Sequence, residues 1–243
     1  MRYFIGDTET TGLGPTARNP NAPPKRVCEV ALMEIDPKTL QSLGELGSII
    51  NPEAVIEEGA MQTHGITQEE AERHPTLSQY IHQELGGPFE GEITLIGYRV
   101  AFDLPLLKPF GNITRTFDLL PLAQALVPDA DNHKLQTMRE YFDLPGGDAH
   151  RAMGDVYTTH QLLKELLPKT RRTLAAHCAT EKQIYLKMPW GSKAGQLIVN
   201  LPVGYKDWLL SLPDLDVNLR ESIEVFARTD RRIPYVASRK FRK

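Results

Sequence analysis

YFIGDTETTG, residues 3–12, decides the fold that we expect for this chain of 243 residues. The apolar run at 3–5 is typical of a buried strand, and Asp7 and Glu9 stand at its end, two positions apart. Residues two apart in a strand point to the same face, so the two carboxylates are expected to lie side by side. Like charges this close are unfavourable unless a cation lies between them.

Two further carboxylates stand in short polar motifs farther along the chain. Asp103 follows Phe102, and Asp155 ends the segment HRAMGD at 150–155. Carboxylate oxygens are hard ligands that suit Mg²⁺ or Mn²⁺. The sequence therefore predicts a pair of divalent cations and an enzyme that cleaves phosphodiester bonds.

The charge distribution agrees with a polyanionic substrate. The net charge of −3 divides into −11 for residues 1–149 and +8 for residues 150–243. An acidic metal-binding part joined to a basic part suits nucleic acid, although charge also varies along soluble chains without such a role. We expect no membrane span, because no run of 18 apolar residues exists. Cys28 and Cys178 are too few for a disulfide framework or a zinc site, which favours a cytoplasmic protein.

Hydrophobic patterns predict an α/β protein. The predicted strands are 2–6, 27–36, 41–50, 93–96 and 114–117, and the predicted helices are 67–72, 76–86, one from Ala101, 118–126, 134–142, 152–167 and 171–182. Thr67 and Glu70 have the spacing of a capping box. Strands followed by alternating strands and helices predict a mixed sheet that is flanked by helices.

Three motifs in a fixed order carry a family resemblance. Asp-x-Glu-Thr-x-Gly at 7–12, Phe-Asp-x-x-x-Leu at 102–107 and His-x-Ala-x-x-Asp at 150–155 resemble the DEDDh 3′→5′ exonucleases. Arg151 stands where the sister DEDDy group has Tyr, so the histidine branch is favoured. The resemblance spans roughly residues 1–167 and implies a ribonuclease H-like fold with a mixed five-stranded sheet.

Three further segments are similar to the bacterial exodeoxyribonuclease X group. They are MQTHGIT at 61–67, MPWGSKAG at 188–195 and LPVGYKDWL at 201–209. This resemblance implies an exonuclease domain at 1–168, a linker helix at 169–184, a small C-terminal α+β module at 185–228 and a basic tail at 229–243. We expect Trp190, Tyr205 and Trp208 to form the core of the module.

The family resemblance also implies the roles of the site residues. Asp7, Glu9, Asp103 and Asp155 would hold two Mg²⁺ or Mn²⁺ ions, and His150 would act as the general base, since histidine accepts protons near neutral pH. The residues expected to meet the terminal nucleotide are Thr8, Thr10, Thr11, Gly12, Leu13, His64 and Phe102. Leu13 matches a residue that wedges against the terminal base pair. A structural hydrogen-bonding role for His64, and simple packing beneath the site for Phe102, stay open.

Some positions depart from the family pattern. Arg99 stands where the family has Asn, and it either reaches a phosphate or lies in solvent. The Pro-rich loop 14–26 is either a stiff surface insertion or a segment whose Arg18, Lys25 and Arg26 contact the substrate backbone. The basic tail is either solvated or a non-specific grip on DNA.

We therefore expect a metal-dependent 3′→5′ exodeoxyribonuclease that releases nucleoside 5′-monophosphates. The expected substrate is single- or double-stranded DNA with a 3′ end, and the expected partners are replication or repair proteins. An exoribonuclease of the same superfamily is the alternative, because the catalytic residues do not distinguish the sugars. A non-catalytic nucleic-acid-binding protein is a third hypothesis, although degenerate relatives normally lose carboxylates and all five positions are filled here.

Overall fold

A five-stranded mixed sheet forms the centre of the protein. The computed structural model describes residues 1–15, 19–145, 147, 149–170, 172–178, 188, 191–212, 215 and 217–226. The strands are β1 (Arg2–Thr10), β2 (Val27–Ile35), β3 (Ser42–Ile49), β4 (Phe89–Gly97) and β5 (Gly111–Asp118), and they lie in the order β3-β2-β1-β4-β5. β1 is antiparallel to β2, and β2 to β3, whereas β1–β4 and β4–β5 are parallel. The predicted mixed five-stranded sheet is confirmed.

Short helices cover the sheet. They are α1 (Glu58–His64), α2 (Gln68–Glu72), α3 (Leu77–Gln79), α4 (Leu104–Leu107), α5 (Leu119–Leu126), α6 (Leu135–Tyr141), α7 (Ala152–Leu166), α8 (Leu174–Cys178), α9 (Val203–Ser211) and α10 (Val217–Phe226). A π-helical turn, Tyr80–Glu84, extends α3. Within the described ranges, no helix is both long and apolar enough to cross a lipid bilayer.

Both faces of the central strand are buried, which explains its continuous apolar start. Successive strand residues point to opposite faces. Ile5 accordingly belongs to the apolar cluster on the side of α5 and α7, and Phe4 belongs to the cluster that includes Tyr80 and Phe110. A strand covered on both sides needs apolar residues at consecutive positions. The sequence YFI at 3–5 therefore specifies the middle of the sheet.

The topology brings the acidic motifs to one edge of the sheet. β1 and β4 are parallel, so their carboxyl ends lie at the same edge. Asp7 and Glu9 occupy the last part of β1, and Asp103 follows β4 in the connection to α4. α7 packs across β1 and β2 and contributes Asp155 from its first turn. The crevice at the carboxyl ends of such strands is where α/β proteins usually bind ligands.

The structure differs from the sequence prediction in its local detail. β1 continues to Thr10 rather than ending at residue 6, because its polar end still pairs with β2 up to Val27. Thr67 does accept a hydrogen bond from the Glu70 backbone N–H, but the reciprocal capping box lies at Thr76 and Gln79. The helix α1 was not predicted from the sequence.

The described C-terminal residues pack on the helices that cover the sheet. Apolar side chains from this part join the cluster that contains α5 and α7; they are Ile198, Leu201, Leu209, Leu219 and Ile223. The described residues of the expected α+β module form helices and no strand. The domain boundaries themselves stay a prediction.

The expectation that Trp208 belongs to the aromatic core of this module is wrong, because this residue is 52% exposed. The buried residues of α9 are Lys206 and Leu209. Adjacent positions of a helix are turned by about 100°, so Trp208 faces solvent beside the buried Leu209. Tyr205 is partly buried against the cluster, 5.4 Å from the Trp208 ring. Trp190 and the basic tail 229–243 lie outside the described residues.

Candidate active site

Three carboxylates converge at the carboxyl edge of the sheet. One carboxylate oxygen each from Asp7, Glu9 and Asp155 lies within 4.8 Å of the others. Asp7 and Glu9 project from the same face of β1, and Asp155 reaches them from the first turn of α7. Three oxygen ligands in this arrangement form a suitable site for a hard divalent cation. The sequence-predicted residues from motifs about 150 positions apart are therefore brought together.

Asp103 lies beside this group and is held by β1. Its Oδ1 accepts hydrogen bonds from the backbone N–H of Thr8 at 3.0 Å and from the Thr8 hydroxyl at 2.7 Å. Asp103 is buried and precedes α4, whose first turn accommodates Pro105. Its charge acts on Asp7, as expected for a fourth member of the same acidic centre.

The electrostatics of the centre favour the binding of cations. Burial raises the pKa of Asp7 well above its ordinary range, and neighbouring carboxylates raise it further. Burial, and then the charge of Asp155, raises the pKa of Glu9 to about 8. Burial raises the pKa of Asp103 to about 6, although the hydrogen bonds from Thr8 oppose it. The group cannot hold all its negative charges without compensation, and oxygen-binding divalent cations fit this donor set.

His150 lies two positions before Ala152, the first residue of α7, and is next to Asp155. Burial raises the pKa of Asp155, and the charge and the backbone N–H of His150 oppose this rise. The residue is exposed and has a φ of 59°, a left-handed conformation that is uncommon outside glycine. His150 is thus an exposed residue next to Asp155, and its role as general base stays a prediction.

A protein-family model described as exonuclease, RNase T, matches residues 4–163. The chain belongs to this exonuclease family. The predicted family is confirmed, and the match spans β1 to α7, which together carry all the carboxylates of the centre.

Solved exonucleases share the fold at low sequence identity. Exonuclease X in complex with 5′ overhanging duplex DNA has a TM-score of 0.56 and 20% identity, over 73% of this chain and 98% of that one. The nuclease domain of 3′hExo, a DEDDh family member bound to rAMP, has a TM-score of 0.55 and 14% identity, over 71% and 95% of the two chains.

The curated relatives are much longer proteins. A PolC-type DNA polymerase III from Clostridium perfringens is 23% identical over 72% of this chain, which is 12% of that protein. A putative bifunctional exonuclease/endonuclease protein from Mycobacterium tuberculosis is 24% identical over 76% of this chain, which is 29% of that protein. The exonuclease thus spans less than a third of either relative.

The expected nucleotide-contacting residues lie around the end of β1. The Thr10 hydroxyl donates to the Gly12 carbonyl at 2.9 Å, and the Thr11 hydroxyl accepts from the Arg26 N–H at 3.0 Å. Leu13 is 73% exposed, as a residue that contacts a terminal base pair would have to be. A Cβ on Gly12 would lie within 2.7 Å of the Glu57 carboxylate, so a side chain there would displace Glu57.

His64 is placed in the interior of this exonuclease. Its Nδ1 accepts a hydrogen bond from the Ile66 N–H at 3.1 Å, and its Nε2 lies 3.6 Å from the Cys28 sulfur. Burial lowers the pKa of His64, which keeps the ring neutral. The geometry favours the structural alternative for His64, and its role in substrate binding stays a prediction.

Lys25, near the end of loop 14–26, lies close to the acidic centre. The Lys25 Nζ donates to the Phe102 carbonyl at 2.8 Å and lies 3.0 Å from the centre of the Phe102 ring. Burial lowers the pKa of Lys25, and the charge of the adjacent Asp103 opposes this. Phe102 is thus covered on one face by a cation. Arg18 lies outside the described residues.

Arg99 is exposed, so its side chain extends into solvent in this structure. Its backbone N–H donates to Asp118 Oδ1 at 3.0 Å, and its φ is 66°. The loop between β4 and α4 is therefore braced by Asp118 rather than by the side chain at position 99.

Two residues that were not predicted from the sequence make hydrogen bonds at or beside the acidic centre. Gln136 of α6 donates to Asp155 Oδ1 at 2.8 Å. Glu29 of β2 binds Arg151 with both carboxylate oxygens. A signal for Glu29 was present, because a single carboxylate interrupts the apolar run VCEVAL at 27–32. A charge in a buried strand normally has a partner.

Proposed function

We propose that this protein is a divalent-metal-dependent 3′→5′ exodeoxyribonuclease that releases nucleoside 5′-monophosphates. The observation that carries the proposal is the approach of Asp7, Glu9 and Asp155 to within 4.8 Å, with Asp103 beside them. These residues come from the three motifs that define the family resemblance. The preference for DNA is supported by the PolC-type relatives and by the exonuclease X structure that contains DNA.

The residues of the acidic centre and His150 would have separate roles in the reaction. Asp7, Glu9 and Asp155 would hold one cation, and Asp7 with Asp103 the other. When bound, two such cations polarise the phosphodiester and stabilise charge on the attacking and leaving oxygens. The imidazole of His150 would accept the proton of the attacking water.

The neighbouring residues would keep these groups in place. Thr8 orients the Asp103 carboxylate with two hydrogen bonds, and Gln136 orients Asp155 with one. Backbone groups of residues 8–12 would meet the terminal nucleotide. Leu13 would abut the base pair behind it in duplex DNA.

A degradation assay tests the proposal. DNA oligonucleotides labelled at either end are incubated with the protein and Mg²⁺ or Mn²⁺. A 3′-terminal label should be released at once as a mononucleotide, while a 5′ label should pass through a ladder of shorter strands. Failure to release nucleotides with either metal, or release from the 5′ end first, would refute the proposal.

Asp7→Ala is the test of the acidic centre. We expect a loss of about a thousandfold or more in kcat, equivalent to about 4 kcal/mol of transition-state stabilisation. Asp131→Ala is the matched control, because Asp131 is an exposed carboxylate in the connection between α5 and α6. Full activity of Asp7→Ala would instead support a binding protein whose preparation contained another nuclease.

RNA of matched sequence distinguishes the second candidate function. The fold is shared with the nuclease domain of 3′hExo bound to rAMP, so an exoribonuclease is the alternative. Faster degradation of RNA than of DNA would favour it. A cytoplasmic location and a role with replication or repair proteins belong to the proposal; the PolC-type relatives support the second of these.

A further inference from the structure

Glu29 is a fifth carboxylate next to the acidic centre. It lies directly opposite Glu9 in the pairing of β1 with β2. Its side chain is only 10% exposed. A buried carboxylate so close to four others adds repulsion, so its presence needs a physical reason.

Both oxygens of Glu29 are used at the start of α7. Oε1 accepts from Arg151 Nη2 at 2.7 Å and from Nε at 3.2 Å. Oε2 accepts from Arg151 Nε at 3.1 Å and from the Ala152 backbone N–H at 2.9 Å. Glu29 could act as a metal ligand only by giving up these bonds. It therefore differs in kind from Asp7, Glu9, Asp103 and Asp155.

The two residues that bind Glu29, Arg151 and Ala152, lie between His150 and Asp155 in the sequence. Arg151 precedes the first residue of α7, and Ala152 begins the helix. His150 comes immediately before them, in its left-handed conformation, and Asp155 comes one turn after. Fixing residues 151 and 152 to β2 consequently fixes the position of His150 and Asp155 relative to β1.

We propose that Glu29 and Arg151 are positioning residues of the nuclease. They anchor the segment 150–155 to β2, so that the imidazole of His150 and the carboxylate of Asp155 face the carboxylates of β1. Arg151 also neutralises the charge of Glu29, so that the cations have to compensate only the charges of the remaining carboxylates. This inference rests on the proposed nuclease function and assigns to it two residues that do not touch the reacting atoms.

Matched variants on one strand test the proposal. Glu34, on the same strand β2, makes a second two-point ion pair, with Arg2 at 2.8 and 2.7 Å. Arg2 of this pair packs over the rings of Phe4 and Phe89. We would compare Glu29→Ala and the milder Glu29→Gln with Glu34→Ala and Glu34→Gln in kcat, KM, thermal unfolding and hydrogen exchange.

The expected results separate positioning from general stability. Glu29→Ala should lower kcat by at least about tenfold, while KM changes by less than about threefold. Amide exchange in segment 150–155 should accelerate. Glu34→Ala should lower Tm but leave kcat within about twofold of the wild type and leave exchange in 150–155 unchanged. Arg151→Lys should recover part of the kcat that Arg151→Ala loses, because it keeps the charge without the two-point geometry.

Several outcomes would overturn the proposal. A wild-type kcat in Glu29→Ala, an equal loss of kcat in Glu34→Ala, or unaltered exchange in 150–155 would each do so. If Glu29→Ala does not fold, Glu29→Gln applies the same criteria, since it keeps an acceptor for the Ala152 N–H. Absence of nuclease activity in the wild type would contradict the proposed function instead, and the exchange measurement would still test the anchoring.

Discussion

Glu9→Gln is expected to stabilise the metal-free protein while it weakens nuclease activity. Burial and Asp155 raise the pKa of Glu9 in the folded protein to about 8, from an ordinary value of 4.5. Because the folded pKa lies above the unfolded pKa, the folded state holds more protons between these two values. Stability therefore falls as pH rises through this window; the penalty is absent below it and complete above about pH 8.

The size of the expected stabilisation follows from the difference between the folded and unfolded pKa values of Glu9. At pH 7 the folded protein keeps Glu9 largely protonated although the unfolded chain would ionise it, at a cost of about 3 kcal/mol. Partial exposure screens the charge, and a buried glutamine amide has its own desolvation cost. We therefore expect a gain of about 1–2 kcal/mol for Glu9→Gln, or about 2–8 °C in Tm for a protein of this size.

Thermal unfolding with a chelator, between about pH 5 and pH 8, measures the effect. Burial lowers the pKa of His177 to about 4, so the contribution of this residue to stability rises with pH. That contribution is the same in the variant and the wild type, and it cancels when their stabilities are compared. Glu34→Gln is the control of opposite sign, since Arg2 lowers the pKa of Glu34 and the variant should be destabilised. A stability difference for Glu9→Gln that does not grow with pH would refute the reasoning.

His150→Ala should lower kcat by about 10²–10⁴-fold and leave Mn²⁺ affinity, measured by calorimetry, close to that of the wild type. Loss of Mn²⁺ binding would contradict the general-base role. Lys25→Met should raise KM for DNA and reduce the slope of log affinity against log salt by about one, whereas Lys38→Met, in the turn between β2 and β3, should do neither. Leu13→Ala should slow degradation of duplex DNA severalfold but spare single strands; equal effects on both would exclude the wedge.

The sequence predicted the parts of the fold that rest on local pattern. The apolar runs at 3–5 and 27–32 specify strands that are covered on both faces, and the order of the three motifs specifies the acidic centre. Position 208 was misassigned because its burial depends on which side of α9 meets the nuclease. α1 escaped prediction because its first turn has no side-chain cap and most of its residues are exposed.

Contacts between distant residues account for what could not be predicted. Glu29 and Arg151 are 122 positions apart, and nothing in either local sequence indicates the other. The same is true of Lys25 and Phe102, which are 77 positions apart. Such pairs are fixed by how α7 and the segment that contains Lys25 pack on the sheet, which is a property of tertiary packing.

The late position of α7 in the chain has a consequence for synthesis. β1 with two of the carboxylates leaves the ribosome before α7, because Asp155 follows Asp7 by about 150 residues, and domains generally fold as units. A nascent chain, or one released early by a stop codon before α7, carries an incomplete centre. The hydrolytic competence that we propose for this exonuclease would therefore appear only after α7 has been synthesised and has packed on the sheet.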